Sequence, residues 1–163
     1  MRVGIGYDSH RFDPSRPLIL GGLEIPDSPG LSGHSDGDAV AHAIIDAILG
    51  AVAAGDVGSH FPPGKDEWKG IDSMVLLEKA VSILDGKGFR PYNVDVVVIT
   101  EAPRIGPVSA AMAERVAGVL GIPEGAVSVK GKTNEGMGWI GAGEGLAVHA
   151  VALVVDKNQP GVR

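Results

Sequence analysis

Asp8 and His10 are separated by one residue at the end of the run Val3-Gly4-Ile5-Gly6-Tyr7. If that run is a strand, its side chains alternate between faces, so Asp8 and His10 project to the same side. A carboxylate and an imidazole aimed together can hold a divalent ion, but a third ligand must come from elsewhere. The stretch Gly33-His34-Ser35-Asp36-Gly37-Asp38-Ala39-Val40-Ala41-His42 supplies a candidate, with two His and two Asp in ten positions ahead of a helical pattern. His42, one turn into that helix, is the expected partner of Asp8 and His10. Two His and one carboxylate make a catalytic zinc set that keeps a position for a substrate oxygen. The free N–H groups of a helix start suit phosphate, and His34 and Ser35 are candidate donors to it. Asp46, one turn past His42, is expected to accept from the His42 ring.

These residues need a scaffold. The 163 residues fit one domain with one core. The net charge of −6 argues against a nucleic-acid binder, while a bound cation would still admit a phosphorylated substrate. There is no cysteine, so a zinc site must use His and carboxylate ligands. No leader-like segment and no bilayer-length apolar run is expected, which makes the cytoplasm the expected location and a membrane partner unexpected. The 25 glycines gather in clusters rather than in low-complexity runs.

In chain order the patterns predict a strand over 2–7, a polar turn over 11–16, and a hairpin of 18–20 and 23–25 around Gly21-Gly22, closed by Pro26. A loop follows over 27–37, then a helix over 38–53 capped by Asp36 or Asp38. Residues 55–70 read as a long loop, of the kind that is often functional. A second helix is expected over 73–86, capped by Asp72 or Ser73, with Val75 and Val81 among its inward residues. Strand 94–100, helix 107–120, strand 127–130, glycine-rich 132–145 and strand 146–155 complete the series. That order implies an α/β (α+β) fold with a single mixed sheet and helices packed on one face. No helices remain for the opposite face, so a second copy of the chain is its expected cover. Residues 1–156 are read as one catalytic domain and 157–163 as a polar tail.

Two tempting motifs fail. Gly131-Lys132-Thr133 lacks the upstream glycine of a phosphate-binding loop, since position 126 is Ala, and Gly4-Ile5-Gly6 is not followed by the helix of a dinucleotide site. Thr133 remains a candidate phosphate donor, and Glu135 a ligand for a hard cation.

Taken together, Gly4-Ile5-Gly6-Tyr7-Asp8-Ser9-His10, the 33–42 stretch, Gly55-Asp56-Val57-Gly58 and the glycine-rich 135–145 segment resemble the 2-C-methyl-D-erythritol 2,4-cyclodiphosphate synthase family over nearly the whole chain. The resemblance implies a homotrimer with active sites between subunits. The implied reaction is metal-dependent cyclisation of 4-diphosphocytidyl-2-C-methyl-D-erythritol 2-phosphate with release of CMP, in the non-mevalonate isoprenoid pathway. It implies zinc on Asp8, His10 and His42, and magnesium or manganese on Glu135. His34 and Thr133 would stabilise the transition state. Ser35, Asp56, Gly58, Phe61 and Lys65 would hold the methylerythritol phosphate. Thr100, Ala102, Pro103, Arg104, Ile105 and Gly106, with Lys132, Thr133 and Glu135 at their side, would form the cytidine pocket, and Trp139 would also bind substrate. The chain departs from the family pattern at Ala142, where many members carry an arginine facing the trimer's central cavity, and at Lys132, where a small hydroxyl residue is frequent. The rival readings are a zinc phosphohydrolase using the same ligands and a metal-stapled oligomer without activity.

Overall fold

The computed structural model describes residues 1–158. Five strands form one mixed sheet: β1 (Arg2–Leu20), β2 (Leu23–Leu31), β3 (Phe89–Ile99), β4 (Val127–Lys132) and β5 (Gly145–Asp156), in the spatial order β2-β1-β5-β3-β4. Among the described residues only β3 and β4 pair in parallel, and they are joined by helix α4 (Ser109–Leu120), since parallel neighbours need a crossover. The long helices α1 (Ala39–Ala51) and α3 (Ser73–Gly86) pack with α4 on one side of the sheet. Two short helices, α2 (Val57–His60) and α5 (Gly138–Gly141), lie in the connections. Among the described residues no helix is long and apolar enough to cross a membrane. The expected tail over 157–163 falls, from residue 159 onward, outside the described residues.

Strand β1 is much longer than the expected 2–7. It pairs with β5 from Arg2 to Arg11, then changes partner and pairs with β2 from Phe12 to Leu20. The expected polar turn over 11–16 is therefore strand, with irregular register around Asp13 and Pro17. Likewise β2 runs through Pro26 and Pro29 to Leu31, shortening the expected 27–37 loop. As the edge strand of the sheet, β2 tolerates residues that lack a donor. The hairpin itself is as expected: Leu20 pairs with Leu23, and Gly21 and Gly22 take φ of +58° and +73°, which a two-residue primed turn requires. The 55–70 loop contains α2 and a 3-10 turn over Asp66–Trp68.

Asp38 is the cap of α1, and it does more than end a helix. Its fully buried carboxylate accepts from Val40 and Ala41 of the first turn and from Gly21 and Gly22 of the hairpin, at 2.7 to 3.1 Å. Burial pushes this carboxyl up to about 6 against those amide donors, and nearby Asp36 adds to the rise. One side chain thus ties the β1–β2 turn to the start of α1.

Helix α1 lies directly against the backbone of β1. A Cβ placed on Gly4 would lie 1.9 Å from the Ala47 carbonyl oxygen, and one on Gly6 would lie 1.9 Å from that of Ala43. These glycines admit a helix onto bare strand backbone. All of α1 except Asp46 and Gly50 is buried, including Ile45 and Leu49. In α3 the inward set is Met74, Leu76, Leu77, Ala80 and Leu84. Val75 is 38% exposed and Val81 only half-buried, against expectation, because the α3 packing stripe is narrower than its apolar content.

On the opposite face of the sheet Val3, Ile5, Tyr7 and Val151 are 66, 69, 49 and 44% exposed in the single chain. Gly6→Ala is expected to destabilise the protein by about 3 kcal/mol, because backbone must move to admit the methyl group. Urea denaturation measures this, and a change under about 0.5 kcal/mol would contradict the tight contact.

Candidate metal centre

In β1 the even positions face α1: Gly4 and Gly6 are buried beneath it, and Asp8 and His10 continue the same row. His42 sits in the first turn of α1 beside Ala43, whose carbonyl lies over Gly6. The helix contact therefore carries the His42 ring to the Asp8 carboxylate. Asp8 Oδ2 lies 2.8 Å from His10 Nε2 and 3.0 Å from His42 Nδ1. One ligand atom from each of the three lies within 4.8 Å of the others, and this is the one such cluster among the described residues.

The remaining ring nitrogens are also engaged. His10 Nδ1 is 2.6 Å from the Ser32 carbonyl, to which it donates, so in the neutral ring the lone pair is on Nε2, the nitrogen that faces Asp8. His42 Nε2 is 3.0 Å from Ser73 Oγ and 3.2 Å from Ser35 Oγ. A carboxylate oxygen and ring nitrogens aimed at one small volume suit a divalent cation, and outward hydrogen bonds from the rings are how ligating imidazoles are held.

Burial opposes ionisation of Asp8, but hydrogen bonds and charge attraction from His10 and His42 outweigh it and hold the carboxyl well below its usual range. Burial likewise works against a charged His10, while the hydrogen bond and charge of Asp8 raise its pKa above the ordinary imidazole value.

The cluster opens into a cavity of about 260 Å³ whose other walls include His34, Ser35, Gly58, Phe61 and Trp68. Phe61 packs edge-on against Trp68 with ring centroids 5.4 Å apart. The 33–38 turn is held by Arg16, whose guanidinium donates to the carbonyls of Gly33 and Ser35. The His34 ring donates to the Lys65 carbonyl at 3.1 Å. Asp56 caps α2, accepting from the Ser59 amide and hydroxyl, which lowers its pKa.

Asp46 does not serve the His42 ring as expected. Its carboxylate accepts from the Val57 amide at 2.7 Å and so ties α1 to α2. Burial raises its pKa, that amide lowers it, and Asp56 and Asp8 raise it further. Two features were missed. Ser73, read only as a candidate cap, is fully buried against His42. Ser32 contributes a backbone oxygen, which residue types do not reveal.

A second cleft, of about 320 Å³, lies between Thr100, Pro103, Arg104, Ile105 and Gly106 on one side and Gly131, Lys132 and Thr133 on the other. The Ala102 carbonyl accepts from Thr100 Oγ1 at the base of this turn. Glu101 was also missed: its Oε1 accepts from the amides of Asn134 and Gly136 and pins the loop carrying Glu135. Thr133 Oγ1 donates to Glu135 at 2.9 Å, and Glu135 is not part of the Asp8, His10 and His42 cluster. Trp139, 42% exposed, shares a 250 Å³ recess with His10, Arg11 and Glu144. Ser9, Ala147, Ile99 and Lys132 are paired in one row across the sheet. Both clefts therefore open at the same end of it, with β5 between their strands.

With this geometry the chain was compared with known proteins. The model of the YgbB family matches residues 1–155. The 2-C-methyl-D-erythritol 2,4-cyclodiphosphate synthase of Gemmatimonas aurantiaca is 56% identical over 95% of this chain and 93% of its own. The bifunctional IspDF of Campylobacter jejuni superposes with a TM-score of 0.92 at 37% identity over 97% of this chain, which spans 43% of that longer protein. The IspF protein of Plasmodium falciparum, solved as a CDP complex, is 36% identical with a TM-score of 0.83, over 96% of this chain and 97% of its own.

The raised His10 pKa gives a prediction with two opposite signs. In metal-free protein the contribution of the Asp8/His10 pair is fully present below about pH 6.5 and is lost as pH rises through the raised value. Cation binding must displace the His10 proton, so zinc affinity rises over the same window. Calorimetry in chelator and competition titrations from about pH 6 to 8 test this, and a pH-independent zinc affinity would contradict it. The His10→Asn variant is expected to lose the stability slope.

Proposed function

This chain belongs to the YgbB family of 2-C-methyl-D-erythritol 2,4-cyclodiphosphate synthases, which are lyase-type enzymes, and from that premise we propose its reaction and its site. It converts 4-diphosphocytidyl-2-C-methyl-D-erythritol 2-phosphate to 2-C-methyl-D-erythritol 2,4-cyclodiphosphate and CMP, in the non-mevalonate route to isoprenoid precursors. The observation carrying this reading is the convergence of Asp8, His10 and His42 at the wall of a cavity shared with His34 and Ser35.

Asp8, His10 and His42 hold zinc or another divalent cation, and Glu135 holds a second, magnesium or manganese. When bound, such ions neutralise the diphosphate and stabilise charge gathering on the departing CMP. In the reaction a 2-phosphate oxygen bonds to the β-phosphorus. The bond from that phosphorus to the bridging oxygen breaks, and the oxygen leaves with CMP and the electron pair. No water and no protein nucleophile is consumed, so the chain's main task is to bring two ends of one flexible molecule together.

His34 and Thr133 are donors to the oxygens of the transition state, exchanging their contacts with the Lys65 carbonyl and Glu135 for substrate. Ser35, Asp56, Gly58, Phe61 and Lys65 line the end that takes the methylerythritol phosphate. The cleft of residues 100–106 with Lys132 and Thr133 takes the cytidine diphosphate portion, and Trp139 meets substrate from the recess it shares with His10. Residues 1–156 act as one catalytic domain in the cytoplasm. The apolar outer face of the sheet supports a homotrimer with sites between subunits, since a contiguous exposed patch of this kind marks an interface.

Phosphorus NMR of the reaction is expected to show a cyclic diphosphate and CMP. Inorganic phosphate or a linear product would replace this reading with hydrolysis. The His42→Ala variant is expected to lose more than about a hundredfold in kcat/KM. Light scattering is expected to give the mass of three chains, and Ile5→Asp is expected to give inactive monomers. A fully active monomer would overturn the intersubunit site.

A further inference from the structure

His42 presents Nδ1 to Asp8 and Nε2 to the hydroxyls of Ser73 and Ser35. A hydroxyl both donates and accepts, so Ser73 by itself does not decide whether Nε2 carries a proton. Asp36 decides it. Its Oδ1 lies 2.5 Å from Ser73 Oγ and accepts from the Asp38 amide at 3.1 Å, and its Oδ2 accepts from the Ser73 amide at 3.0 Å. A carboxylate is an acceptor only, so the single Ser73 hydroxyl proton goes to Asp36. Toward His42 the Ser73 oxygen then offers only lone pairs, and the ring must answer with Nε2–H. Nδ1, 3.0 Å from the Asp8 carboxylate, is then the ring atom whose proton a bound cation replaces.

We propose that Asp36 and Ser73 are positioning residues that lock His42 in the Nε2–H tautomer and so make Nδ1 available to a divalent cation. The inference rests on the metal-centre reading given under Proposed function. Ser73 is fully buried and Ser35 is 6% exposed, so bulk water does not take over the acceptor role. The remaining carboxylate on α1, Asp46, is engaged with the Val57 amide. Ser73 is also the first residue of α3, and Asp36 accepts from its backbone amide, so the proton-directing contact and the docking of α3 share one joint.

The test uses full-length protein with two readouts: zinc affinity by competition with a chromophoric chelator, and nitrogen-15 imidazole spectra of the zinc-loaded protein. Wild type is expected to show the Nε2–H signature for His42. In Ser73→Ala, and in the near-isosteric Asp36→Asn, whose amide can donate to Ser73 and turn its hydroxyl toward the ring, the Nε2–H resonance is expected to shift and broaden as it loses its acceptor. Zinc affinity is expected to fall by about 10- to 100-fold in both. Ser73→Thr keeps the hydroxyl and is expected to restore the wild-type spectrum. Asp72→Ala removes the α3 cap that accepts from the Met74 amide and serves as the structural control. It is expected to lower Tm while leaving tautomer and affinity unchanged. Wild-type spectra and affinity in both Ser73→Ala and Asp36→Asn would overturn the inference and leave the metal centre standing. Absence of zinc binding by wild type would instead overturn the metal-centre reading and the inference with it.

Discussion

Helix α1 and strand β1 meet backbone to backbone at Gly4 and Gly6, and most of the site geometry follows from that contact. A side chain at either glycine would occupy the space of the Ala47 or Ala43 carbonyl. With none there, the helix lies directly on the strand. Asp8 and His10 continue the row of those glycines, and His42 precedes Ala43, so the two elements can bring their polar groups within 3.0 Å of one another. The same closeness excludes water from one side of the cluster. Asp38 then sets where the helix begins, by joining its first amides to the Gly21-Gly22 turn. Strand, hairpin and helix are thereby fixed to each other through one carboxylate and two missing side chains.

Within that frame the polar groups are arranged by their capacity to donate or accept. Each histidine directs one nitrogen outward to an oxygen and the other inward to Asp8. One carboxylate between two imidazoles is stable when a positive charge is present, either as a proton on His10 or as a divalent ion. This explains how a chain of net charge −6 can be suited to a polyanionic substrate. The protein's own charge is repulsive, and the attraction must be local.

The sheet relates the two clefts. The row from Ser9 through Ala147 and Ile99 to Lys132 places the Asp8–His10 part of β1 and the end of β4 before Thr133 on one edge of the fold. Glu101 steadies the loop beyond that edge by accepting from two of its amides. The face opposite the helices is apolar and exposed in a single chain, a surface that an assembly would bury.

Much of this was legible in the residues. Alternation along β1 paired Asp8 with His10, helical spacing put His42 one turn into α1, and the Gly21-Gly22 hairpin and the start of α3 follow from local turn and cap chemistry. These are short-range constraints, carried by neighbours in the chain. Where β1 and β2 continue depended on partners distant in sequence, so the prolines and polar residues of 11–16 and 26–29 concealed strand. The role of Gly4 and Gly6 as a seat for α1 was equally hidden, because a glycine does not declare what approaches it. Asp46 has the right spacing to face His42, yet its carboxylate meets the Val57 amide, while the ring finds Ser73 from a different helix. Residue type and periodicity thus determined which groups could bind a cation. Tertiary packing decided which oxygens the ring nitrogens meet, because a hydrogen bond depends on positions within a few tenths of an ångström, and for Ser32 with His10 and for Asp8 and Ser73 with His42 those positions belong to residues 22 or more apart in the chain.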